Sequence, residues 1–445
     1  MEILKRKIDN YLIEWKNSSL KMPLIIRGAR QIGKTFAIRQ FGKKNYKYFI
    51  EINFIEKEFY KDIFDEGYIV DNIIKKISLH DPKLVFEPNE TLIFFDEIQK
   101  CPNAATSLKF FREDKRYDVI CSGSLMGINY NEIESNSVGN KIDYTMRPLD
   151  FEEFLWAKGY KEEQINDLYN YMKEIKPLPE STYNIFLNIF KEYMVVGGMP
   201  LVVKTFVNNN NYSGILDLQK QILLDYEEDI TKYAGSLDKT KILNVYKKIP
   251  VFLGKENKKF QISKIGVNSK SRDYIGVIDW LINAGIVNIC YCMATLELPL
   301  KGNYNPDMYK LYFGDTGLLI GSLDEEAQKD LRENKNFNTY KGAIYENVVA
   351  DMLVNEGYEL FYYKNSNGSI EMDFFIRDTD SLIPVEVKAN DNSTKSLNKL
   401  IEWNTFKEIK YGIKLGNKNI GFNGKFYTFP YFMTFLLKRF LKDKN

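Results

Sequence analysis

The sequence predicts an α/β fold built around a phosphate-binding loop, and three observations support this prediction. The apolar run Leu24-Ile25-Ile26 leads into Gly28-Ala29-Arg30-Gln31-Ile32-Gly33-Lys34-Thr35, which fits the pattern G-x-x-x-x-G-K-[ST] in full. A second apolar run, Thr91 to Phe95, ends in Asp96-Glu97. From residue 1 to about residue 147, strand-like segments alternate with helical stretches, which is typical of a parallel sheet covered by helices on both faces.

The glycines of the first motif have a physical purpose. Gly28 and Gly33 permit a tight turn whose backbone N–H groups converge on phosphate, and the following helix presents its positive N-terminus to the same anion. Lys34 is expected to reach the β- and γ-phosphates, and the Thr35 hydroxyl to ligate Mg²⁺. We therefore predict that ATP and Mg²⁺ are bound by Gly28, Ala29, Arg30, Gln31, Ile32, Gly33, Lys34 and Thr35.

The acidic pair at residues 96 and 97 extends the prediction from binding to hydrolysis. Asp96 is expected to hold Mg²⁺, and Glu97 is expected to polarise the attacking water. The alternative is an acidic strand end that faces solvent. We therefore predict an ATPase in which Lys34 and Glu97 are catalytic.

The composition excludes several classes of protein. At 445 residues the chain is long enough for about three domains, and its formal net charge of +2 provides no global polycation for nucleic acid. The cysteines and the single histidine lack the paired spacing of a zinc site, so reduced thiols are expected at Cys101, Cys121, Cys290 and Cys292, with His80 unligated. Without a signal-peptide core or a run of about 18 apolar residues, we expect a soluble cytoplasmic protein with no membrane contact.

The pattern of apolar and polar residues divides the chain into four regions. The first, 1–149, is the predicted ATPase core, 150–240 a helical lid or linker, 241–335 a winged-helix-like module, and 336–445 a further α/β domain. Strands of the core are predicted at Leu24–Arg27, Tyr48–Asn53, Thr91–Phe95, Val119–Cys121 and Ile142–Thr145.

The third region has the layout of a winged helix. A helix from Tyr274 to Ala284 ends at Gly285 and leads into a pair of strands. If this module binds DNA, its candidate phosphate contacts are Lys264, Lys270 and Arg272. Many such modules only pack against protein, and that alternative stays open.

The fourth region carries carboxylates and a lysine on neighbouring predicted strands. Asp373 lies on one strand, and Glu386-Val387-Lys388 lies on the next. Because strand side chains alternate, Glu386 and Lys388 share a face. We predict that Asp373, Glu386 and the Val387 carbonyl bind Mg²⁺ or Mn²⁺, with Lys388 catalytic and Glu346 an additional ligand. A solvated strand face is the alternative.

These motifs together resemble a large family of prokaryotic AAA+ ATPases, in which a P-loop module precedes a C-terminal domain of uncharacterised function. The resemblance implies an α/β AAA+ core with a helical lid, a winged-helix module, and a restriction-endonuclease-like domain of the PD-(D/E)xK type. Besides the phosphate-binding loop, the matching segments are Asp96-Glu97-Ile98-Gln99, Ser122-Gly123-Ser124, Pro148-Leu149-x-Phe151-x-Glu153-Phe154, Gly197-Gly198-x-Pro200, Phe313-x-Asp315-x-Gly317-Leu318 and Glu386-Val387-Lys388.

The resemblance also implies roles for single residues. Ser124 or Ser122 stands where a sensor residue contacts the γ-phosphate, and Pro200 stands where a proline packs on adenine. A helix-breaking turn is the alternative for Pro200. An arginine finger has three candidates, each of which could equally be a surface charge: Arg112, Arg116 and Arg147.

Two functions from different classes follow from these residues. The first is an ATPase coupled to a metal-dependent nuclease that acts on DNA. The second is a nucleotide-controlled switch whose nuclease-like domain serves as a non-cleaving interaction module. A third, protein remodelling by a closed oligomer, would require an arginine supplied by a neighbouring subunit.

Overall fold

The computed structural model describes residues 3–124, 139–234, 238–255, 258–265, 270–274, 276–323, 325–333, 339–365, 368–388, 394–402 and 406–444. Within these residues the chain forms one sheet of five strands and one of eight. The five-stranded sheet holds the phosphate-binding loop, and a run of helices connects it to the eight-stranded sheet.

The first sheet is parallel throughout and has the strand order β2-β3-β4-β1-β5. All five predicted strands are present, with ends that differ by at most three residues, so the predicted α/β core is confirmed. The strands are β1 Leu24–Gly28, β2 Tyr48–Asn53, β3 Thr91–Asp96, β4 Asp118–Ser124 and β5 Ile142–Thr145, and the helices around them are α1 Lys7–Asn17, α2 Lys34–Asn45, α3 Val70–His80 and α4 Pro102–Asp114.

Strand β3 illustrates why this sheet reads as an apolar run in the sequence. Phe94 is buried in one hydrophobic cluster, whereas Ile93 and Phe95 are buried in another. Alternate side chains point to opposite faces of a strand, so both faces of the sheet are covered. Apolar side chains are therefore needed at every position of the strand.

The region after β5 is helical, as predicted. Asp150 accepts a hydrogen bond from the Glu153 amide at the start of the first of these helices, and Pro200 occupies the first turn of the fourth. The helices are α5 Phe151–Ala157, α6 Glu162–Lys173, α7 Glu180–Val196, α8 Pro200–Asn209, α9 Ile215–Tyr233 and α10 Lys239–Leu253.

The eight-stranded sheet has the order β12-β13-β11-β10-β9-β8-β6-β7 and mixes parallel with antiparallel pairs. Its strands are β6 Val287–Met293, β7 Tyr304–Phe313, β8 Leu360–Lys364, β9 Glu371–Arg377, β10 Leu382–Lys388, β11 Gly412–Gly416, β12 Gly421–Phe422 and β13 Phe426–Pro430. The helices of this part of the chain are α11 Val277–Asn283, α12 Thr316–Gly321, α13 Glu325–Arg332, α14 Thr339–Asn355, α15 Lys395–Glu402 and α16 Leu437–Lys444.

The eight-stranded sheet crosses the predicted boundary between residues 335 and 336. Strands β6 and β7 form the hairpin expected of a winged helix, but β6 also pairs in parallel with β8 through Cys290 and Leu360. The predicted helix from Tyr274 to Ala284 is the shorter α11, preceded by a 3₁₀ turn at Ser271–Tyr274. The hairpin is therefore an integral part of the second sheet. In the described part of the chain, no helix is both long and apolar enough to cross a membrane.

Candidate functional site

The phosphate-binding loop connects β1 to α2 and adopts backbone conformations that require its glycines. Gly28 and Gly33 have φ of 149° and 90°, and a Cβ on Gly28 would overlap the Met146 carbonyl oxygen. Lys34 donates hydrogen bonds to the carbonyl oxygens of Gly28 at 3.1 Å and Ala29 at 2.6 Å. Burial lowers the pKa of Lys34 to about 8, against the opposing effects of Glu97 and Asp96. The lysine is thus held within the loop.

A second group of side chains gathers around Asp96, which is 3% exposed at the end of β3. The Thr35 hydroxyl lies 3.2 Å from Asp96 Oδ1, and Asn53 Nδ2 donates to Asp96 Oδ2 at 3.0 Å. The Ser122 hydroxyl donates to Asp96 Oδ1 from β4. A hydroxyl and a carboxylate held together beside the phosphate-binding loop are donors that suit Mg²⁺, so Thr35 and Asp96 fit the predicted metal role.

Glu97 occupies the position next to this group. Its backbone is left-handed, with φ of 56°, and Gln99 Nε2 donates a hydrogen bond to its carboxylate. The cavity of about 660 Å³ over the phosphate-binding loop is lined by Glu97 together with Lys34, Thr35 and Ser122. We call it the phosphate cavity. The arrangement places a carboxylate and a cation around one space that could hold a triphosphate.

A smaller cavity of about 270 Å³ adjoins the phosphate cavity, and both are lined by Gln31, Gly33 and Phe36. Its further lining includes Ile3 and Leu4 from the N-terminal segment and Pro200 and Leu201 from α8. Apolar walls beside a phosphate site are suited to a nucleobase. We call this space the base pocket.

Helix α9 brings acidic side chains to the phosphate cavity. Asp229 forms an ion pair with Arg30 at 2.7 Å, and Asp225 accepts a hydrogen bond from Gln31 at 2.5 Å. Tyr226 donates to the Arg30 carbonyl oxygen at 3.1 Å. The carboxylates of α9 therefore bind polar side chains of the loop that are predicted to contact the nucleotide.

The structure shows the surroundings of most of the residues predicted as sensor or arginine finger. Ser122 contacts Asp96 and lines the phosphate cavity, whereas the Ser124 side chain lies outside the described residues. Arg112 donates to the Gly139 carbonyl oxygen and to Asn140, and Arg116 pairs with Asp114 and Asp71. Arg147 lines a cavity within its own chain. None of these geometries identifies an arginine finger among the described residues.

The residues predicted to form a nuclease-like site have a different arrangement in the structure from the metal site expected from the sequence. Glu346 is 2% exposed, and its carboxylate accepts hydrogen bonds from Lys310 at 3.0 Å, from the Tyr312 hydroxyl at 2.6 Å and from Lys258. Burial alone would raise the pKa of Glu346, but Lys258 and Lys310 outweigh it and hold the pKa at about 2. Two ammonium groups occupy the surroundings that a metal ion would need, so Glu346 does not fit the predicted ligand role.

Asp373, Glu386 and Lys388 lie on neighbouring strands, as predicted. Lys388 Nζ is 2.9 Å from Glu386 Oε1, which confirms that these two side chains share a face. Asp373 accepts a hydrogen bond from the Val387 amide at 2.8 Å, and burial, with Glu346 adding, raises the pKa of Asp373 to about 7. Glu386 Oε2 is buried without a hydrogen-bond partner in the described part of the structure.

The residues present do not assemble the predicted metal site. Among the described residues, no group of three or more histidine, cysteine, aspartate and glutamate side chains is placed to hold a metal ion. Glu346, Asp373 and Glu386 therefore do not form a three-carboxylate site for Mg²⁺ or Mn²⁺ in the described part of the structure. Of the predicted DNA contacts, Lys264 and Lys270 are exposed, and the Arg272 side chain lies outside the described residues.

Sequence reasoning missed several residues that build the nucleotide site. Arg6 is 7% exposed and donates to Glu153 at 3.0 Å, to the Ile32 carbonyl oxygen at 3.1 Å and to the Arg147 carbonyl oxygen at 2.8 Å. Asn53 was predicted as a strand residue but not as a partner of Asp96. Asn53 ends β2 opposite Asp96 in the parallel register, so the alignment of two neighbouring strand ends was a usable signal.

Two of the segments that carry the family resemblance also meet in space. Asp315 accepts hydrogen bonds from the Gly198 amide at 2.6 Å and from the Leu318 amide at 2.8 Å. Gly317 packs so closely on α7 that a Cβ there would overlap the Val196 carbonyl oxygen. The loop that precedes Pro200 is therefore attached directly to the end of β7.

Profiles of three families match successive parts of the chain. Residues 20–155 match a family described as an AAA domain, residues 187–329 a domain of unknown function (DUF8612), and residues 341–432 another domain of unknown function (DUF4143). Residues 20–155 hold the phosphate-binding loop and the parallel sheet, so this part of the chain is similar to AAA domains.

Similar proteins extend over most of the chain. An uncharacterised protein of Methanocaldococcus jannaschii is 28% identical over 444 residues, which cover 94% of this chain and 86% of that protein. An uncharacterised protein of Haemophilus influenzae is 24% identical over 405 residues, covering 85% and 86%. Among solved structures, a Walker-type ATPase of Pyrococcus abyssi is similar with a TM-score of 0.42 and 14% identity, covering 72% of this chain and 96% of that one.

Proposed function

We propose that this protein hydrolyses ATP and uses the bound nucleotide to control the position of its second sheet. The observation that carries the proposal is that Lys34, Thr35 and Glu97 line one cavity and that the Thr35 hydroxyl contacts the Asp96 carboxylate. Lys34 would bind the β- and γ-phosphates, Thr35 and Asp96 would hold Mg²⁺, and Glu97 would orient the attacking water. Mg²⁺ would supply charge neutralisation of the phosphate oxygens.

Contacts between the nucleotide cavities and the second sheet support the switch. Asp315, which follows β7, accepts a hydrogen bond from the backbone amide of Gly198. Gly198 lies two residues before Pro200, which lines the base pocket. At the other end, Lys220 of α9 pairs with Glu325 of α13 at 3.0 Å, while Asp229 of α9 contacts the phosphate-binding loop. A nucleotide that displaced α8 or α9 would therefore pull on elements attached to the second sheet.

The enzymatic part of the proposal is tested by ATPase assays on three proteins. Lys34→Ala should abolish ATP binding, whereas Glu97→Gln should retain ATP binding and lose turnover, because only the second residue acts on water. Unchanged turnover in Lys34→Ala would refute the assigned phosphate site.

The switch is tested by amide hydrogen exchange. Wild-type protein should differ in exchange along β6 to β8 between its ATP-bound and ADP-bound states, and Asp315→Asn should reduce that difference while nucleotide still binds. Identical exchange in both nucleotide states of the wild type would contradict the proposal.

A second candidate function is metal-dependent cleavage of DNA by the C-terminal domain. The unpartnered Glu386 Oε2, on a carboxylate that pairs with Lys388 through its other oxygen, favours it. Its test is cleavage of plasmid and single-stranded DNA with Mg²⁺ or Mn²⁺, with and without ATP, by wild type and Glu386→Gln. Nicking that is lost in the variant would support a nuclease, and absence of nicking beside intact ATPase activity would support the switch alone.

A further inference from the structure

A cavity of about 510 Å³ lies between the two sheets, apart from the phosphate cavity and the base pocket. One wall is formed by Gly28, Met146 and Arg147 of the ATPase core, and the opposite wall by β6 and β8. We call it the inter-sheet cavity. Its volume falls in the range of about 300–1,000 Å³ that is usual for small-molecule sites.

The inner end of this cavity is polar and incompletely paired. Arg147 Nη1 lies 3.4 Å from Asn288 Oδ1, a long contact for a charged donor. Asn288 is 8% exposed, and its Nδ2 has no hydrogen-bond partner within the described residues. Arg147 forms no ion pair with a described carboxylate, although Asp351 is near enough to raise its pKa against the lowering effect of burial. A guanidinium stays charged, so this end presents a cation and a free N–H donor.

The rest of the lining is largely apolar and includes four aromatic side chains. The rings of Tyr291 and Tyr304 have centroids 4.6 Å apart, and Tyr304 and Phe361 have centroids 6.0 Å apart. These side chains line the cavity with Arg147 and Asn288. Planar apolar groups bind well against such faces. At the mouth, Lys301 and Glu359 form an exposed ion pair at 2.7 Å.

We propose that the inter-sheet cavity binds a small-molecule anion with a planar, aromatic body. Its carboxylate or phosphate head would accept hydrogen bonds from Arg147 and from Asn288 Nδ2, and its ring would pack against Tyr291, Tyr304 and Phe361. Such an anion provides the ion-pair partner that Arg147 lacks, and the acceptor that Asn288 Nδ2 lacks, among the described residues.

The position of the cavity connects this ligand to the nucleotide site. Gly28 and Met146 line the inter-sheet cavity, Gly28 begins the phosphate-binding loop, and Met146 also lines the base pocket. Gly285, another lining residue, packs so closely on the loop that a Cβ there would be 3.2 Å from the Ala29 amide nitrogen. Because the two sites share these segments, the proposal also predicts that ligand binding alters nucleotide affinity and that, by linkage, nucleotide alters ligand affinity by the same factor.

The test is calorimetric titration of the full chain with phenyl phosphate and phenylacetate, with and without saturating Mg-ADP. These probes share a ring and differ in the head group, and inorganic phosphate serves as the probe without a ring. We expect at least one ring probe to bind with a Kd below about 1 mM and inorganic phosphate to bind at least about tenfold more weakly. Tighter binding of phenyl phosphate would indicate a ligand with a phosphate head, and tighter binding of phenylacetate a ligand with a carboxylate head. Equal affinity would indicate that the site recognises the negative charge of the head group and not its chemical type.

Two variants locate the probe. Asn288→Asp, which is nearly isosteric and introduces a negative charge, and Arg147→Met should each weaken the ring probe about tenfold or more, whereas Arg377→Met at an exposed arginine should not. Binding should persist with Mg-ADP present. The proposal is overturned if neither ring probe binds, if both variants bind as the wild type does, or if Mg-ADP displaces the probe completely. None of these readouts depends on ATP hydrolysis.

Discussion

Replacing Glu346 by glutamine tests whether the centre of the second sheet is an ion-pair cluster or a metal site. The carboxylate is buried on α14 and bonded to Lys258, Lys310 and Tyr312. Glutamine has nearly the same shape but no charge, so both ammonium groups would face a neutral amide. Lys310 is itself 1% exposed, and its next carboxylate partner is Glu371, 3.5 Å away.

The expected loss of stability follows from the proton affinity of the carboxyl. The pKa of Glu346 is about 2 in the folded chain against an ordinary value of 4.5, because Lys258 and Lys310 outweigh the effect of burial. A difference of this size corresponds to about 3 kcal/mol at pH 7, which agrees with the ~3–5 kcal/mol lost when one partner of a buried pair is removed. Because the folded pKa is the lower one, this stabilisation is complete above pH 4.5 and is lost as the pH falls towards 2.

The assay is urea unfolding of wild type and Glu346→Gln, followed by circular dichroism at pH 7 and pH 3. The variant should unfold at lower urea at pH 7, and the gap should shrink to roughly half at pH 3. Glu402→Gln is the matched control, since Glu402 belongs to an exposed pair with Lys425 and should change stability by less than about 0.5 kcal/mol. An unchanged midpoint at pH 7, or a stabilisation by Mg²⁺ that only the wild type has, would refute the ion-pair assignment.

Three further predictions concern the nucleotide site. Asp229→Asn should tighten ATP binding severalfold at low salt and less at high salt, because it removes a carboxylate from the phosphate cavity, whereas Asp217→Asn on the exposed face of the same helix should have no effect in the same titrations. ATP affinity should fall as the pH rises through about 8, where Lys34 loses its proton in the free protein, and a flat pH profile of Kd would show that the lysine stays charged. Gly28→Ala should lose ATP binding, since its Cβ would overlap the Met146 carbonyl oxygen, and normal binding would contradict the close approach of these segments.

The first sheet could be predicted closely because its inner strands β3, β4 and β1 are buried on both faces. In Thr91–Asp96, residues 92–95 are all apolar and an acidic residue ends the run, so both the strand and its end are visible in the sequence. The order of the strands and their parallel pairing bring Asn53 and Ser122 to Asp96, and this depends on contacts over 43 and 26 residues. Positions 122 and 124 are two residues apart in the sequence, so the alternation expected of a strand could not choose between them.

In the second sheet, the strands that carry Asp373 and Glu386 were predictable, but the chemistry at the centre of the sheet was not. Asp373, Glu386 and Lys388 are visible as a pattern, and the shared face of Glu386 and Lys388 follows from strand geometry. The environment of Glu346 does not follow from strand geometry, because its partners are distant in the sequence. Lys258 comes from a segment before β6, and Lys310 comes from β7. The sequence shows that a motif contains a carboxylate, but only the fold determines whether that carboxylate faces a metal ion or two lysines.

The parallel pairing of β6 with β8 also has a consequence for synthesis of the chain. Cys290 pairs with Leu360, 70 residues further along, so β6 leaves the ribosome long before its inner neighbour exists. At translation rates of about 5–20 residues per second, that interval lasts roughly 4–14 s. Throughout it, the edge of β6 has its N–H and C=O groups unpaired and open to strands of other nascent chains. The five strands of the ATPase core are complete by residue 145, so the core can fold in that time. The folded core then offers a surface against which β6 can pack before β8 is synthesised.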